Sequence, residues 1–85
     1  MKTFNYTIRD EVGIHARPAG MLVNKVKELG CRVTLERGGK TADASRLFSV
    51  MSLAIKQGDT VTVTVEGDNE ASAAETLAAF FENNL

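Results

Sequence analysis

Residues 60–65 read Thr-Val-Thr-Val-Thr-Val, and this strict alternation constrains the fold more than any other feature of the chain. A period of two places Val61, Val63 and Val65 on one face of a strand and Thr60, Thr62 and Thr64 on the other. β-Branched side chains suit the pleated surface. A strand with one apolar face and one face suited to water belongs to a sheet that is covered on a single side.

Two other segments share that period. Phe4, Tyr6 and Ile8 alternate with Thr3, Asn5 and Thr7, and Cys31, Val33 and Leu35 alternate with Arg32, Thr34 and Glu36. Gly38-Gly39 reads as a hairpin turn, leading into a short strand over Lys40 to Ala42. Between these strands the period changes. Ala19, Leu22, Val23, Val26 and Leu29 fall at helical spacing in a helix that begins at Ala16 and ends at Gly30. Pro18 is tolerated there because it lies in the first turn. Residues 45–55 read as a second helix, with Val50, Leu53 and Ala54 inward and Gly58 breaking the pattern. A third helix, capped by Asp68 or Asn69, presents Ala74, Leu77, Ala78 and Phe81 as its buried stripe.

The order is β-α-β-β-α-β-α, and the economical arrangement is an α+β sandwich of one four-stranded sheet and one layer of helices. Eighty-five residues fit one small domain spanning 1–85. The net charge of −1 argues against nucleic acid as the main partner. No apolar run is long enough for a membrane span, and the N-terminal residues alternate where a signal peptide would be continuously apolar. The single cysteine, Cys31, cannot form an internal disulfide and reads as a small buried hydrophobe. No cofactor or metal is expected. The cysteine and histidine residues lack zinc-ligand spacing, and Glu66, Asp68 and Glu70 read as a turn followed by helix N-terminal charge. Lys40 after Gly38-Gly39 lacks phosphate-loop spacing.

The chemistry gathers at the only histidine, in Gly13-Ile14-His15-Ala16-Arg17-Pro18. His15 falls at the strand-to-helix junction, near the N-cap. The first N–H groups of a helix lack intrahelical acceptors, and the helix dipole favours an anion there. Arg17 adds a forked, permanently charged donor suited to phosphate oxygens. Pro18 stiffens the turn that begins at Ala16. A neutral imidazole nitrogen is a competent nucleophile. No base or orienting carboxylate lies in sequence reach, so transfer to and from a partner fits better than hydrolytic turnover. Position alone leaves open that His15 is a capping or surface residue.

These residues resemble the active-site signature of the HPr family, the phosphocarriers of the bacterial phosphoenolpyruvate:sugar phosphotransferase system (PTS). The resemblance extends through Gly39-Lys40-Thr41, Val50-Met51-Ser52-Leu53 and Lys56-Gln57-Gly58-Asp59. It implies an open-faced β-sandwich, an antiparallel four-stranded sheet covered on one side by three helices. It implies a cytoplasmic, monomeric carrier more than an independent enzyme, phosphorylated on His15 Nδ1 by Enzyme I and discharging to Enzyme IIA domains. Arg17 corresponds to the family's phosphoryl-contacting arginine. A docking surface is expected from Leu47, Phe48 and Met51 on the second helix, with Gly20, Asn24 and Lys27 along the outer face of the first. From spacing alone, Leu47 and Met51 equally well complete the core. The chain departs from the family's serine-regulated members, in which a kinase modifies a serine and the product binds the catabolite regulator CcpA. That position holds Arg46. The neighbouring Ser45 is a candidate helix cap and substitute phosphosite, and the kinase and CcpA are doubtful partners. Arg46 fits either improved docking to an acidic partner or a neutral surface change. An HPr-like protein that regulates other proteins without serving transport is the alternative reading.

Overall fold

The computed structural model describes residues 1–85 and contains seven elements. These are β1 (Lys2–Thr7), α1 (Ala16–Leu29), β2 (Arg32–Arg37), β3 (Lys40–Asp43), α2 (Leu47–Ser52), β4 (Thr60–Glu66) and α3 (Glu70–Asn84). The strands form one antiparallel sheet in the order β1-β4-β2-β3. The Val/Thr segment is therefore a central strand, flanked by β1 and β2. Val63 lies opposite Phe4 on β1 and Leu35 on β2, and Val65 lies opposite Val33.

The apolar faces meet as the alternation requires. Val61, Val63, Val65, Val33 and Leu35 are buried under Leu22, Val23 and Val26 of α1 and Leu77 and Phe81 of α3. Phe81 is the largest of the fully buried side chains. Its ring meets those of Tyr6 and Phe4 edge-on, with centroids 5.4 and 6.0 Å apart. Gly38 and Gly39 turn the β2–β3 hairpin with φ of 59° and 85°, which a type I′ turn demands at both positions.

Several expectations need correction. α2 covers only Leu47–Ser52, shorter than the 45–55 span read from the sequence. Arg46 has extended dihedrals, so the helix cannot begin earlier. At the other end Ala54 adopts a positive φ of 50° and is exposed, not inward; Val50 and Leu53 are buried as expected. The α3 stripe is shifted: Ala73, Leu77, Phe80 and Phe81 are buried, while Ala74 and Ala78 are only half-buried. Asn69 is the α3 N-cap, but its side chain does not cap. Its amide donates to the Leu29 carbonyl and its oxygen accepts from Cys31 Sγ, linking the ends of α1 and α3. Cys31 is accordingly half-exposed and hydrogen-bonded, not simply a buried hydrophobe. Ile8, read as part of the first strand, is buried just beyond β1.

Candidate functional site

His15 is the N-cap of α1, with extended dihedrals of φ −102° and ψ −173°. Its carbonyl accepts the first helical bond, from Ala19 N at 2.9 Å. Its side chain makes no capping bond, so the imidazole stands in solvent at the helix start. The capping alternative for the histidine side chain is thereby removed. Pro18 has no N–H, which leaves those of Ala16 and Arg17 as the unclaimed donors of the first turn. Ala16 and Arg17 are exposed and Pro18 is buried. The Arg17 guanidinium forms no salt bridge within the chain. The positive pole of α1, two free N–H groups and an uncommitted guanidinium thus lie at the helix start that carries the imidazole, an arrangement suited to a phosphoryl group on that ring.

A shallow depression of about 310 Å³ adjoins the imidazole, lined by Asp10, His15, Arg17, Pro18, Met21 and Asn84. Three of these were not found by reading the sequence. Asp10 and Asn84 arrive through tertiary structure, because the β1–α1 connection is fastened to the end of α3. Arg9 N and Asp10 N both donate to the Leu85 carbonyl, at 2.7 and 2.8 Å, and an Arg9 Nη2 bond to the Glu82 carbonyl adds a third tie. Asp10 also shapes its own turn. Its carboxylate accepts Val12 N at 2.8 Å and its carbonyl accepts Gly13 N at 3.0 Å. Met21 carried a legible signal, since it lies four residues after Arg17 and so on the same helical face.

The connection then docks on the segment after α2, where Ile14 N donates to the Ile55 carbonyl at 3.1 Å. Gly13 is pressed against the same carbonyl at φ 77°. Ile14 is buried, so the residue before His15 is anchored on both its main chain and its side chain.

The expected docking residues divide. On α1, Asn24 and Lys27 are exposed and Gly20 is half-buried, and the spacing from Arg17 keeps all four along one face. Met21 joins them at 42% exposure. α2 packs beside α1. On it Phe48 is 83% exposed and Met51 37%, whereas Leu47 is half-buried against the core. The second apolar face of α2 is thus narrower than the three residues suggested. Arg46 is exposed and is the α2 N-cap, which corrects the assignment of Ser45 as the cap. The Ser45 hydroxyl and main-chain N–H both donate to Asp43 Oδ1, at 2.7 and 2.9 Å. The hydroxyl bond is the main reason that the Asp43 carboxyl lies below its ordinary value, with the Ser45 N–H next.

No helix is long and apolar enough to cross a membrane. Residues 2–83 match the family model described as the PTS HPr component phosphorylation site. The phosphocarrier protein HPr of Lysinibacillus sphaericus is 42% identical over 78 residues, covering 92% of this chain and 89% of that protein. The HPr-like protein Crh of Bacillus subtilis strain 168 is 35% identical over 78 residues, covering 92% of each. Among solved structures, an HPr of Thermoanaerobacter tengcongensis superposes with a TM-score of 0.91 at 32% identity, covering 96% of this chain and 92% of that one. Match to the family model along nearly the whole chain, with the exposed histidine held at the helix start, establishes that this protein belongs to the HPr family of PTS phosphocarriers.

Proposed function

We propose that the domain formed by residues 1–85 carries phosphoryl groups on His15, taking them from phosphorylated Enzyme I and passing them to sugar-specific Enzyme IIA domains in the cytoplasm. The observation that carries this reading is the exposed imidazole at the N-cap of α1, beside the unpaired Arg17. In the first transfer the Nδ1 lone pair attacks phosphorus. The N–P bond to His15 forms as the donor's bond to phosphorus breaks, and the ring hydrogen resides on Nε2. Arg17 and the N–H groups of Ala16 and Arg17 receive the phosphoryl oxygens. In the second transfer the same bond breaks toward the acceptor. The protein works as a monomer without a cofactor, and the partners supply the remaining groups.

Gly20, Met21, Asn24 and Lys27 of α1, with Arg46, Phe48 and Met51 of α2, form the partner surface in this reading, and Leu47 supports it from below. Regulation through Ser45 is absent or altered. A phosphate on its oxygen removes the bond donated to Asp43 and sets a dianion against that carboxylate. With Arg46 in place of the family's regulatory serine, the kinase and CcpA stay doubtful as partners.

The likeness to Crh gives a second reading, a regulatory protein without a transport role. The two are separated by onward transfer. Wild type charged by Enzyme I and phosphoenolpyruvate is expected to lose its label to an added Enzyme IIA. Arg17→Ala is expected to slow both transfers by about a hundredfold with the fold intact, as loss of one oxyanion donor does. Label that enters but never leaves, across several Enzyme IIA domains, would favour the regulatory reading.

A further inference from the structure

We infer that Arg37 and Asp59 are positioning residues for His15, holding the Leu53–Asp59 segment as a template on which the Gly13–His15 turn is laid. The inference rests on the reading of His15 as the phosphoryl acceptor.

Arg37 ends β2, half-buried and 22 residues from Asp59 in sequence. Its Nε donates to Asp59 Oδ2 at 3.0 Å, and its Nη1 donates to the Leu53 carbonyl at 3.0 Å. One planar fork therefore ties both ends of the segment, a geometry that a lysine ammonium does not reproduce. The same Asp59 oxygen accepts Lys56 N at 2.8 Å, and Asp59 N donates to the Lys56 carbonyl at 3.0 Å, closing the turn from within.

Between the ties the backbone is strained. Ala54 holds a φ of 50°, the only residue other than glycine with a positive value. Such a conformation persists only where its surroundings over-determine it. Here the carbonyl on one side, Leu53, is held by Arg37, and the carbonyl on the other, Ile55, is held by Ile14 N. The strain therefore spans the distance between the Arg37 clamp and the residue preceding His15.

The entry to the β1–α1 connection is fixed to the same segment. Ile8 N donates to the Asp59 carbonyl and Gly58 N to the Ile8 carbonyl, both at 2.9 Å, and Gln57 Nε2 donates to the Arg9 carbonyl at 3.1 Å. Both ends of the connection that carries His15 are thus bonded to residues 53–59, its entry also to the end of α3, and Arg37 ties both ends of residues 53–59. Transfer between two proteins needs an aligned nucleophile, and an error of about 1 Å costs roughly a hundredfold in rate.

The test compares full-length wild type with Arg37→Ala, Arg37→Lys and Val65→Ala. Val65 is buried in β4 opposite Lys2 and Val33 and takes no part in the hydrogen bonds that tie Arg37, Asp59 and Ile14, so its variant reports a general loss of stability. Amide hydrogen exchange is read at Ile14 relative to Val63 in the central strand, together with the rate of His15 phosphorylation by Enzyme I. In Arg37→Ala the Ile14-to-Val63 ratio is expected to rise about tenfold and the rate to fall about tenfold. Arg37→Lys is expected to recover part of both, and Val65→Ala to leave the exchange ratio unchanged. An unchanged ratio in Arg37→Ala, or an equal rise in Val65→Ala, overturns the inference. A wild type that takes no phosphoryl group while the ratio behaves as expected overturns the carrier reading and leaves the template supported.

Discussion

The carbonyl oxygen of Ile55 occupies the space that a side chain on Gly13 needs. A Cβ built on Gly13 overlaps that oxygen and stands 2.8 Å from Lys56 Cα, and both are backbone atoms that cannot swing aside. The residue's φ of 77° is in addition unfavourable for any side chain. Gly13→Ala is therefore expected to cost about 2–4 kcal/mol, the sum of a left-handed alanine and an overpacked contact. Urea unfolding measures this, and an unchanged midpoint would mean that the close approach is not a feature of the native protein.

Ala54 presents the opposite case. It adopts a positive φ without a glycine's freedom, and its side chain is exposed. Ala54→Gly is expected to stabilise the fold by about 0.5–1 kcal/mol, because relief of the left-handed strain exceeds the added entropy of the unfolded chain. Thermal unfolding should show a midpoint higher by roughly 4 °C. A lower midpoint would contradict the strain at this residue.

Three carboxyls lie below their ordinary values in the folded protein. Asp43 is lowered first by the Ser45 hydroxyl, Asp59 first by Lys56 N and then by Arg37, and Glu70 first by the Met1 ammonium. A group whose folded value is depressed contributes stability above its unfolded value, about pH 4, and loses it as pH falls through the folded value. Stability should therefore be flat from neutrality to about pH 5 and decline on the acid side. Asp59→Asn should make that decline shallower. Thermal midpoints across pH 2–7 check both, and an identical slope in the variant would remove Asp59 from the account.

Phe48 contributes little to the core at 83% exposure, so Phe48→Ala is expected to shift stability by less than about 0.5 kcal/mol. If α2 docks partners, the same change should raise the KM for transfer from Enzyme I by about tenfold with little effect on kcat. An unchanged KM would take Phe48 out of the partner surface.

The sheet was legible in the sequence because its signal is local. Val61, Val63 and Val65 needed only their own alternation to declare the buried face, and the helical spacing from Ala19 to Leu29 declared α1. His15 was legible because the change of period locates the helix start. The ends of α2 were not, since Arg46 and Ala54 leave the helix through backbone conformations that their side chains do not announce. The shifted stripe of α3 has a similar origin: alanines fill both faces, and only packing against β1, β4 and α1 decides that Ala73 and Phe80 turn inward. Asp10, Asn84 and the Arg37–Asp59 clamp were beyond reach for another reason. The clamp acts across the fold, Asp10 and Asn84 reach the site only through tertiary structure, and nothing in their neighbouring residues distinguishes them from ordinary surface polar groups.

The central claim, that His15 takes a phosphoryl group, is tested most directly by intact-protein mass after incubation with phosphoenolpyruvate and a bacterial Enzyme I, with His15→Ala alongside. The expected result is a single acid-labile phosphoryl group on the wild type and none on the variant, whose thermal midpoint stays close to wild type because the imidazole makes no bond within the fold. Wild type that gains no mass with several Enzyme I proteins, or a variant that is phosphorylated equally, would contradict it.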